Sequence, residues 1–213
     1  MAETTVVHLL RHGEVDNPAR VLYGRLPGYH LSETGRLMAE TVAKAVGGRD
    51  IVALFSSPLE RALETAAPLA DKLGLDIVQD VRLIEAENLL QGRKVGQGLG
   101  VLRDPRNYRY FYNPLRPSWG EAYPAVVQRM KSMIDEARAE ARGHETVLVS
   151  HQLPIWAIRM AAEGRRRLWH DPRRRQCALA SLTTLTFDGD RLVSIGYSEP
   201  AGSIDTGPSV PGA

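Results

Sequence analysis

Short apolar runs that alternate with stretches of helical periodicity constrain the fold of this chain more than any other feature. The first run, rich in β-branched residues, begins at Thr5, and two further runs occupy residues 51–55 and 145–150. Each has the length and composition of a buried strand, and a helical pattern follows each of them along the chain. Strands that alternate with helices form a mostly parallel central sheet with helices on both faces. The chain therefore predicts an α/β fold with three layers, α/β/α.

Capping residues predict where the helices begin and end. Ser32 caps a first helix that ends near Gly47, and Ser57 with Pro58 begins a second one. The longest predicted helix covers about residues 121–141. On the first helix, the residues at helical spacing that we expect to be buried are Leu37, Met38, Thr41, Val42, Ala45 and Val46.

Three segments depart from the alternating pattern. Residues 181–197 predict two strands joined at Asp188-Gly189, which would form an antiparallel hairpin at the sheet edge. Residues 92–120, rich in glycine and then in basic and aromatic residues, are interpreted as an inserted lid, with packing against a sheet edge as the alternative. Small residues from 199 to 213 predict a flexible tail, so a single domain would span residues 1–198.

Composition excludes several classes of protein. The 213 residues are 43% hydrophobic and 24% charged, as in a globular domain, and 27 basic side chains nearly balance 25 acidic ones. This balance argues against a polyanion-binding role for the chain as a whole. Cys177 is the only cysteine, which excludes an internal disulfide and a four-cysteine zinc framework. Without a signal-peptide pattern or an apolar stretch of membrane length, the expected location is cytoplasmic, with no membrane partner.

Candidate catalytic residues stand at the ends of predicted strands. Arg11 and His12 follow the first strand, His151 follows the strand at 145–150, and Arg61 lies near the start of the second helix. A cation in the first turn of a helix is unfavourable unless it serves an anion. Taken alone, Arg11 and His12 are better explained as an ordinary loop arginine and histidine, and Arg61 is equally well explained as a solvated arginine paired with a nearby glutamate. Because the carboxyl ends of parallel strands meet at one edge of a sheet, the set together predicts a shared site.

This set of side chains has the chemistry of phosphoryl transfer. A neutral imidazole such as His12 is a competent nucleophile, and cations must hold the phosphoryl oxygens as charge spreads over them. Arg11, Arg61 and a protonated His151 would be those cations. The scheme needs no metal and no cofactor. A metal site built from His8 and these two histidines is disfavoured, because His8 would lie about 13 Å from His12 along the strand.

The reaction also needs a carboxylic acid, and two candidates follow a short predicted strand. Glu85 or Glu87 could protonate the leaving alkoxide and later accept a proton from water. The ordinary alternative is that both carboxylates sit in the first turn of a helix and stabilise its dipole.

Over roughly residues 5–197, the chain resembles the histidine phosphatase superfamily in its phosphoglycerate mutase-like branch. The opening Leu-Arg-His-Gly-Glu at residues 10–14 is similar to the family signature, which implies that His12 is phosphorylated and that Arg11 binds phosphate. The stretches at residues 56–62 and 149–151 resemble two further motifs, and they imply the corresponding roles for Arg61 and His151.

The resemblance also implies where substrate binds. Asn17, Gly24 and Glu121 stand near positions that the family uses for phosphate and substrate contacts, and Gln152, beside His151, is a fourth candidate. The acid motif departs from the family pattern, since Leu90 replaces a tryptophan. The family pattern makes Glu85 the preferred proton donor, with Glu87 as the alternative.

The sequence thus favours a phosphatase that acts on a small phosphorylated metabolite. A 2,3-bisphosphoglycerate-dependent phosphoglycerate mutase is the alternative, but Arg93-Lys94 and the dispersed arginines that follow replace the adjacent arginine pair of genuine mutases and favour hydrolysis. A different class of function, nucleic-acid or polyanion binding, would use the arginine run from Arg165 to Arg175, which is most often a solvated or acid-paired face. The oligomeric state stays open, with a homodimer among the options.

Overall fold

The computed structural model describes residues 3–94, 120–165 and 175–205. The predicted lid at 92–120 and the arginine run therefore fall largely outside the described residues. The strands are β1 Thr4–Arg11, β2 Ile51–Ser56, β3 Ile77–Gln79, β4 Glu145–Ser150, β5 Leu182–Asp188 and β6 Arg191–Ser198. The α-helices are α1 Glu33–Val46, α2 Glu60–Leu73, α3 Tyr123–Glu140 and α4 Gln152–Ala162, and a 3-10 turn covers Val81–Leu83.

The six strands form one mixed sheet in the order β3-β2-β4-β1-β5-β6. The first four strands of this order are parallel, and β5 and β6 add an antiparallel pair at the edge. The α/β fold, the mostly parallel sheet and the antiparallel edge hairpin predicted from the sequence are confirmed.

Two hydrophobic clusters, one on each face of the sheet, make the core. Alternate residues of β1 point to opposite faces, so that Val7 and Leu9 join the cluster with α3 and α4 while Leu10 joins the cluster with α1 and α2. Both faces of the sheet are therefore covered by helices, and the three predicted layers are present. No helix in the described ranges is long and apolar enough to cross a membrane.

Helix α1 begins where the sequence predicts, but the face that it buries is turned about the helix axis relative to the predicted face. The Ser32 hydroxyl accepts a hydrogen bond from the Gly35 amide at 2.9 Å and caps the helix. The predicted burial of Met38, Val42 and Val46 is confirmed, whereas Leu37 is 49% exposed, and the other buried residues of the helix are Gly35, Ala39 and Ala43. The helix backbone at Gly35 lies directly against the loop after β1, and this contact turns the Gly35 side of the helix inward. A Cβ on Gly35 would lie 2.0 Å from the Glu14 carbonyl oxygen.

Helix α2 begins later than predicted. Its first residue is Glu60, and Leu59 precedes it without a side-chain capping bond. Ser57 does not cap the helix, because it lies three residues before Glu60, where its amide donates to the Val149 carbonyl at 2.9 Å. Its hydroxyl instead contacts His151.

The chain after β6 differs from the flexible tail predicted from residue 199. Residues 200–203 form a turn, in which Ala201 is 1% exposed and belongs to the cluster shared with α1 and α2. Ile204 packs against the same cluster. Packing of these small and apolar side chains orders the segment up to Asp205, and the rest of the predicted tail lies outside the described residues.

Candidate active site

The site lies at the carboxyl edge of the three central strands. β1 ends at Arg11 and β4 at Ser150, and the backbone amide of His12 donates to the Ser150 carbonyl at 3.1 Å. His12 and His151 therefore leave neighbouring strands side by side, and their ring centroids are 5.1 Å apart. Both side chains are buried, His12 at 2% and His151 at 0% exposure.

The His12 ring is held in one tautomer. Its Nδ1 lies 2.7 Å from the Gly13 carbonyl oxygen, which can only accept, so Nδ1 carries the proton and Nε2 the lone pair. Burial lowers the pKa of His12 well below its usual range, and the positive charges of Arg61 and Arg11 lower it further. The ring is therefore a neutral imidazole with a nucleophilic Nε2.

Gly13 allows the loop after β1 to pack tightly against α1 and α2. Its amide donates to the Thr65 hydroxyl at 3.0 Å, and that hydroxyl donates to the Arg61 carbonyl at 2.6 Å. A Cβ at Gly13 would lie 2.7 Å from the Gly35 carbonyl oxygen. Only glycine fits at this position without a shift of backbone.

Arg61 is a fully buried cation from the first turn of α2. Its Nη2 donates to the Gly24 carbonyl at 2.7 Å and to Nδ1 of His151 at 3.3 Å. Its Nε and Nη1 are buried and have no hydrogen-bond partner in the described part of the chain. Burial lowers the pKa of Arg61, partly opposed by Tyr23 and Glu85. Two buried donors on a positive charge are a strong requirement for an anion.

Arg11 supplies a second cation at the edge of β1. Its side chain is buried, and Nη1 donates to the Cys177 carbonyl at 2.8 Å. Gln152 approaches the same carbonyl with Nε2 at 3.5 Å, and Arg175 donates to Oε1 of Gln152 at 3.3 Å. Gln152 thus connects Arg11 with the last residue of the arginine run.

His151 is neutral, and not the protonated cation expected from the sequence. An arginine can only donate, so the contact from Arg61 requires an unprotonated Nδ1. Nε2 then carries the proton and donates to the Ser57 hydroxyl at 2.8 Å. Burial lowers the pKa of His151 well below its usual range, and Arg61 lowers it further. A buried ring beside the positive charges of Arg61 and Arg11 does not take up a proton and become a third positive charge.

The two candidate acids are in different environments. Glu85 is partly buried, and its Oε1 accepts from the Ala86 amide at 2.7 Å. Burial raises the pKa of the Glu85 carboxyl, although the positive charges of Arg61, Arg175 and Arg11 oppose this shift. Glu87 is exposed. Glu85 is therefore the carboxyl group that shares the electrostatic environment of the site.

All four predicted substrate-binding residues make hydrogen bonds within the protein, and those of Gln152 are given above. The Asn17 side chain donates to the Val21 carbonyl at 2.8 Å and accepts from the Val21 amide at 3.0 Å, and these two bonds close the loop between the two residues. Gly24 adopts a φ of +45° and offers its carbonyl to Arg61. Both Glu121 carboxylate oxygens accept from arginines. All of these partners lie within the protein, and the substrate contacts expected of Asn17, Gly24 and Glu121 stay predictions.

Two residues of the site were missed by the sequence analysis. Ser57 was interpreted as a helix cap, but it positions His151. Tyr23 is 5% exposed, and its ring centroid lies 4.7 Å from Cζ of Arg61 and 6.5 Å from the His12 ring. In the sequence Tyr23 is one aromatic residue in an irregular loop, and no spacing links it to Arg61.

Within the described ranges, no group of three or more His, Cys, Asp or Glu side chains could hold a metal ion. His8, considered above as a ligand, is a buried side chain inside the sheet that contacts Glu145 at 2.8 Å and Thr184 at 2.9 Å.

Comparisons with known proteins match most of the chain to one family and to several relatives. The family model for the histidine phosphatase superfamily (branch 1) matches residues 7–199. The chain is 56% identical over 201 residues to the uncharacterized protein Rv0525 of Mycobacterium tuberculosis, which covers 94% of this chain and 99% of that protein. It is 30% identical to the probable phosphoglycerate mutase GpmB of Yersinia pestis, over 82% of each chain. The structure of a mycobacterial glucosyl-3-phosphoglycerate phosphatase superposes with a TM-score of 0.67 at 26% identity, over 86% of this chain and 90% of that one.

Proposed function

Since the chain belongs to the histidine phosphatase superfamily (branch 1), we propose that it is a phosphomonoesterase that hydrolyses a small phosphorylated metabolite through a phosphohistidine on His12. One observation carries the proposal: a neutral His12, its Nδ1 held by the Gly13 carbonyl, lies beside a buried Arg61, two of whose donors have no hydrogen-bond partner among the described residues. The first group supplies a nucleophile, and the second supplies charge for the phosphoryl oxygens.

In the first step, Nε2 of His12 attacks phosphorus and the bond from phosphorus to the ester oxygen breaks. The carboxylic acid of Glu85 gives its proton to the departing oxygen, which leaves as an alcohol. Arg11 and Arg61 hold the transferred oxygens. The raised pKa of Glu85 supports this role, because the carboxyl must be protonated before it can donate.

In the second step, the Glu85 carboxylate takes a proton from water while the water oxygen attacks phosphorus. The bond from phosphorus to Nε2 breaks, and inorganic phosphate leaves. His12 returns to its neutral form and Glu85 to its protonated form, so the cycle closes without any further reactant.

The second candidate is a phosphoglycerate mutase, favoured by the similarity to the probable mutase of Yersinia pestis. In that reaction the phosphoryl group on His12 would pass to a second hydroxyl instead of water. The dispersed arginines of this sequence favour water as the acceptor.

The test is turnover of p-nitrophenyl phosphate by the full chain in the presence of a chelator. We expect activity in the wild type, and its loss, by about a hundredfold or more, in His12→Ala. A coupled assay with 3-phosphoglycerate, primed with 2,3-bisphosphoglycerate, tests the mutase alternative. A His12→Ala variant as active as the wild type would exclude the proposed nucleophile, and turnover that stops with chelator would exclude a metal-independent reaction.

A further inference from the structure

Three charged side chains surround the backbone that carries Glu85. They are Arg25 from the loop after β1, Glu121 two residues before α3, and Arg129 within α3. Arg25 donates to Glu121 at 2.8 Å, and Arg129 donates to its other oxygen at 2.9 Å. We call this trio the brace.

The brace also bonds to the backbone on both sides of Glu85. Arg25 Nε donates to the carbonyl of Glu85 itself at 2.7 Å. Arg129 donates to the Arg82 carbonyl at 2.5 Å. These two arginines therefore fix the chain at Glu85 and three residues before it.

A third set of bonds fixes the chain two residues after Glu85. The Glu87 amide donates to a Glu121 carboxylate oxygen at 3.4 Å, and the Glu121 amide donates to the Glu87 carbonyl at 3.0 Å. Gly120 makes this approach possible, because a Cβ there would lie 2.3 Å from the Glu87 carbonyl oxygen. The start of α3 is thus joined directly to the segment that carries the proposed acid.

The charges of the brace are partly shielded from water. The exposed fractions of the side chains are 32% for Arg25, 16% for Glu121 and 15% for Arg129. Shielded, charge-assisted bonds hold geometry better than ion pairs on the open surface. Both carboxylate oxygens of Glu121 accept hydrogen bonds from arginines, so its contacts hold the surrounding structure in place.

We propose that Arg25, Glu121 and Arg129 are positioning residues for Glu85, holding its backbone so that its carboxyl group meets the leaving oxygen of a phosphate ester on His12. The inference rests on the proposed function. It assigns to Glu121 an action through Glu85, in place of the substrate contact that the sequence suggested.

The leaving group of the ester distinguishes this role from a structural one. p-Nitrophenolate leaves well without a proton, whereas the alkoxide of benzyl phosphate needs one. For Glu121→Gln, we expect kcat/KM to fall about tenfold more on benzyl phosphate than on p-nitrophenyl phosphate, as for a misplaced acid. Glu85→Gln should show the same selectivity to a larger extent.

A matched control breaks another ion pair of α3. Asp190 pairs with Arg138 at 3.0 Å near the other end of the helix, and Asp190→Asn should leave the ratio of the two kcat/KM values unchanged. If Glu121→Gln does not fold, Arg25→Lys keeps the charge but cannot make both bonds of Arg25, and it should shift the ratio in the same direction.

Amide hydrogen exchange tests the brace without relying on turnover. Peptides that cover residues 82–90 should exchange faster in Glu121→Gln than in the wild type or in Asp190→Asn. Equal losses on both esters, or unchanged exchange, would overturn the proposal. A wild type that hydrolyses neither ester would instead overturn the proposed function, while the exchange experiment still reports on the brace.

Discussion

At His12, burial and two neighbouring arginines act in the same direction on the ring. Each disfavours the imidazolium, so the His12 ring stays unprotonated below the pH at which an exposed histidine gains its proton. At Glu85, burial disfavours the carboxylate and thereby keeps the acid protonated above its usual range. The two shifts move the two pKa values toward each other, which favours a neutral His12 together with a protonated Glu85, the states that the proposed first step needs.

These shifts predict an acidic pH optimum. The kcat/KM for benzyl phosphate should rise with pH through the lowered pKa of His12, below 6.5, and fall through the raised pKa of Glu85, above 4.5. A pH profile of wild type and Glu85→Gln measures both limbs. The variant should lose the alkaline limb, and an optimum on the alkaline side of neutrality in both proteins would contradict the assignment.

The ring of Tyr23 is predicted to stabilise the charge of Arg61. A cation over an aromatic face is worth ~1 kcal/mol, which corresponds to about fivefold in affinity. Tyr23→Leu should therefore weaken competitive inhibition by inorganic phosphate about fivefold, whereas Tyr23→Phe keeps the ring and should resemble the wild type.

Tyr29→Leu is the control for Tyr23, since the Tyr29 ring packs against Tyr23 at a tilt of 32° with ring centroids 5.1 Å apart. Its inhibition constant should change less than that of Tyr23→Leu. An equal loss in Tyr23→Phe and Tyr23→Leu would assign the effect to the hydroxyl group.

At the scale of elements, β1 determines the geometry of the site because it is paired on both sides. It lies between β4 and β5, and its register with β4 aligns Arg11 with Ser150. The two histidines that follow these residues must then emerge together. Helix α1 contacts the loop after β1 at Gly35, and this contact supports the loop that carries His12.

The contact between α1 and the loop after β1 can be tested by adding a side-chain carbon at Gly35. Gly35→Ala places a Cβ against the Glu14 carbonyl and should lower the free energy of unfolding by about 1–3 kcal/mol, measured by urea denaturation. Gly48→Ala, just after the same helix, meets nothing within 4 Å and should be neutral. Equal stability of the two variants would show that the backbone yields easily at Gly35.

At the scale of the whole molecule, three buried histidines make stability depend on pH. Burial lowers the pKa values of His8, His12 and His151 in the folded state. Above 6.5 the rings are neutral in both folded and unfolded chains, whereas below it the unfolded chain binds more protons. Folding stability must therefore fall as the pH drops below that value.

Urea unfolding between about pH 7.5 and 5.5 measures this dependence. The free energy of unfolding should decrease steadily, and less steeply in His12→Asn, which removes one of the three rings. Closer to pH 5, the raised pKa values of Glu14 and Glu85 act in the opposite direction. A free energy that does not change over the upper range would contradict neutral, buried histidines.

The sequence by itself determined the fold and the edge at which the site lies. Apolar runs, cap residues and helical spacing are local signals, and they were sufficient for the parallel sheet, the cap at Ser32 and the hairpin of β5 and β6. Because parallel strands end at one edge, the positions of His12 and His151 after two strands already implied that they meet.

Only the tertiary structure decided what each side chain does at that edge. The neutral state of His151, the support of Ser57, the ring of Tyr23 over Arg61 and the brace around Glu85 all join residues that are far apart in the chain. Protonation and hydrogen bonding depend on distances and burial in three dimensions, and periodicity along the sequence carries no information about either.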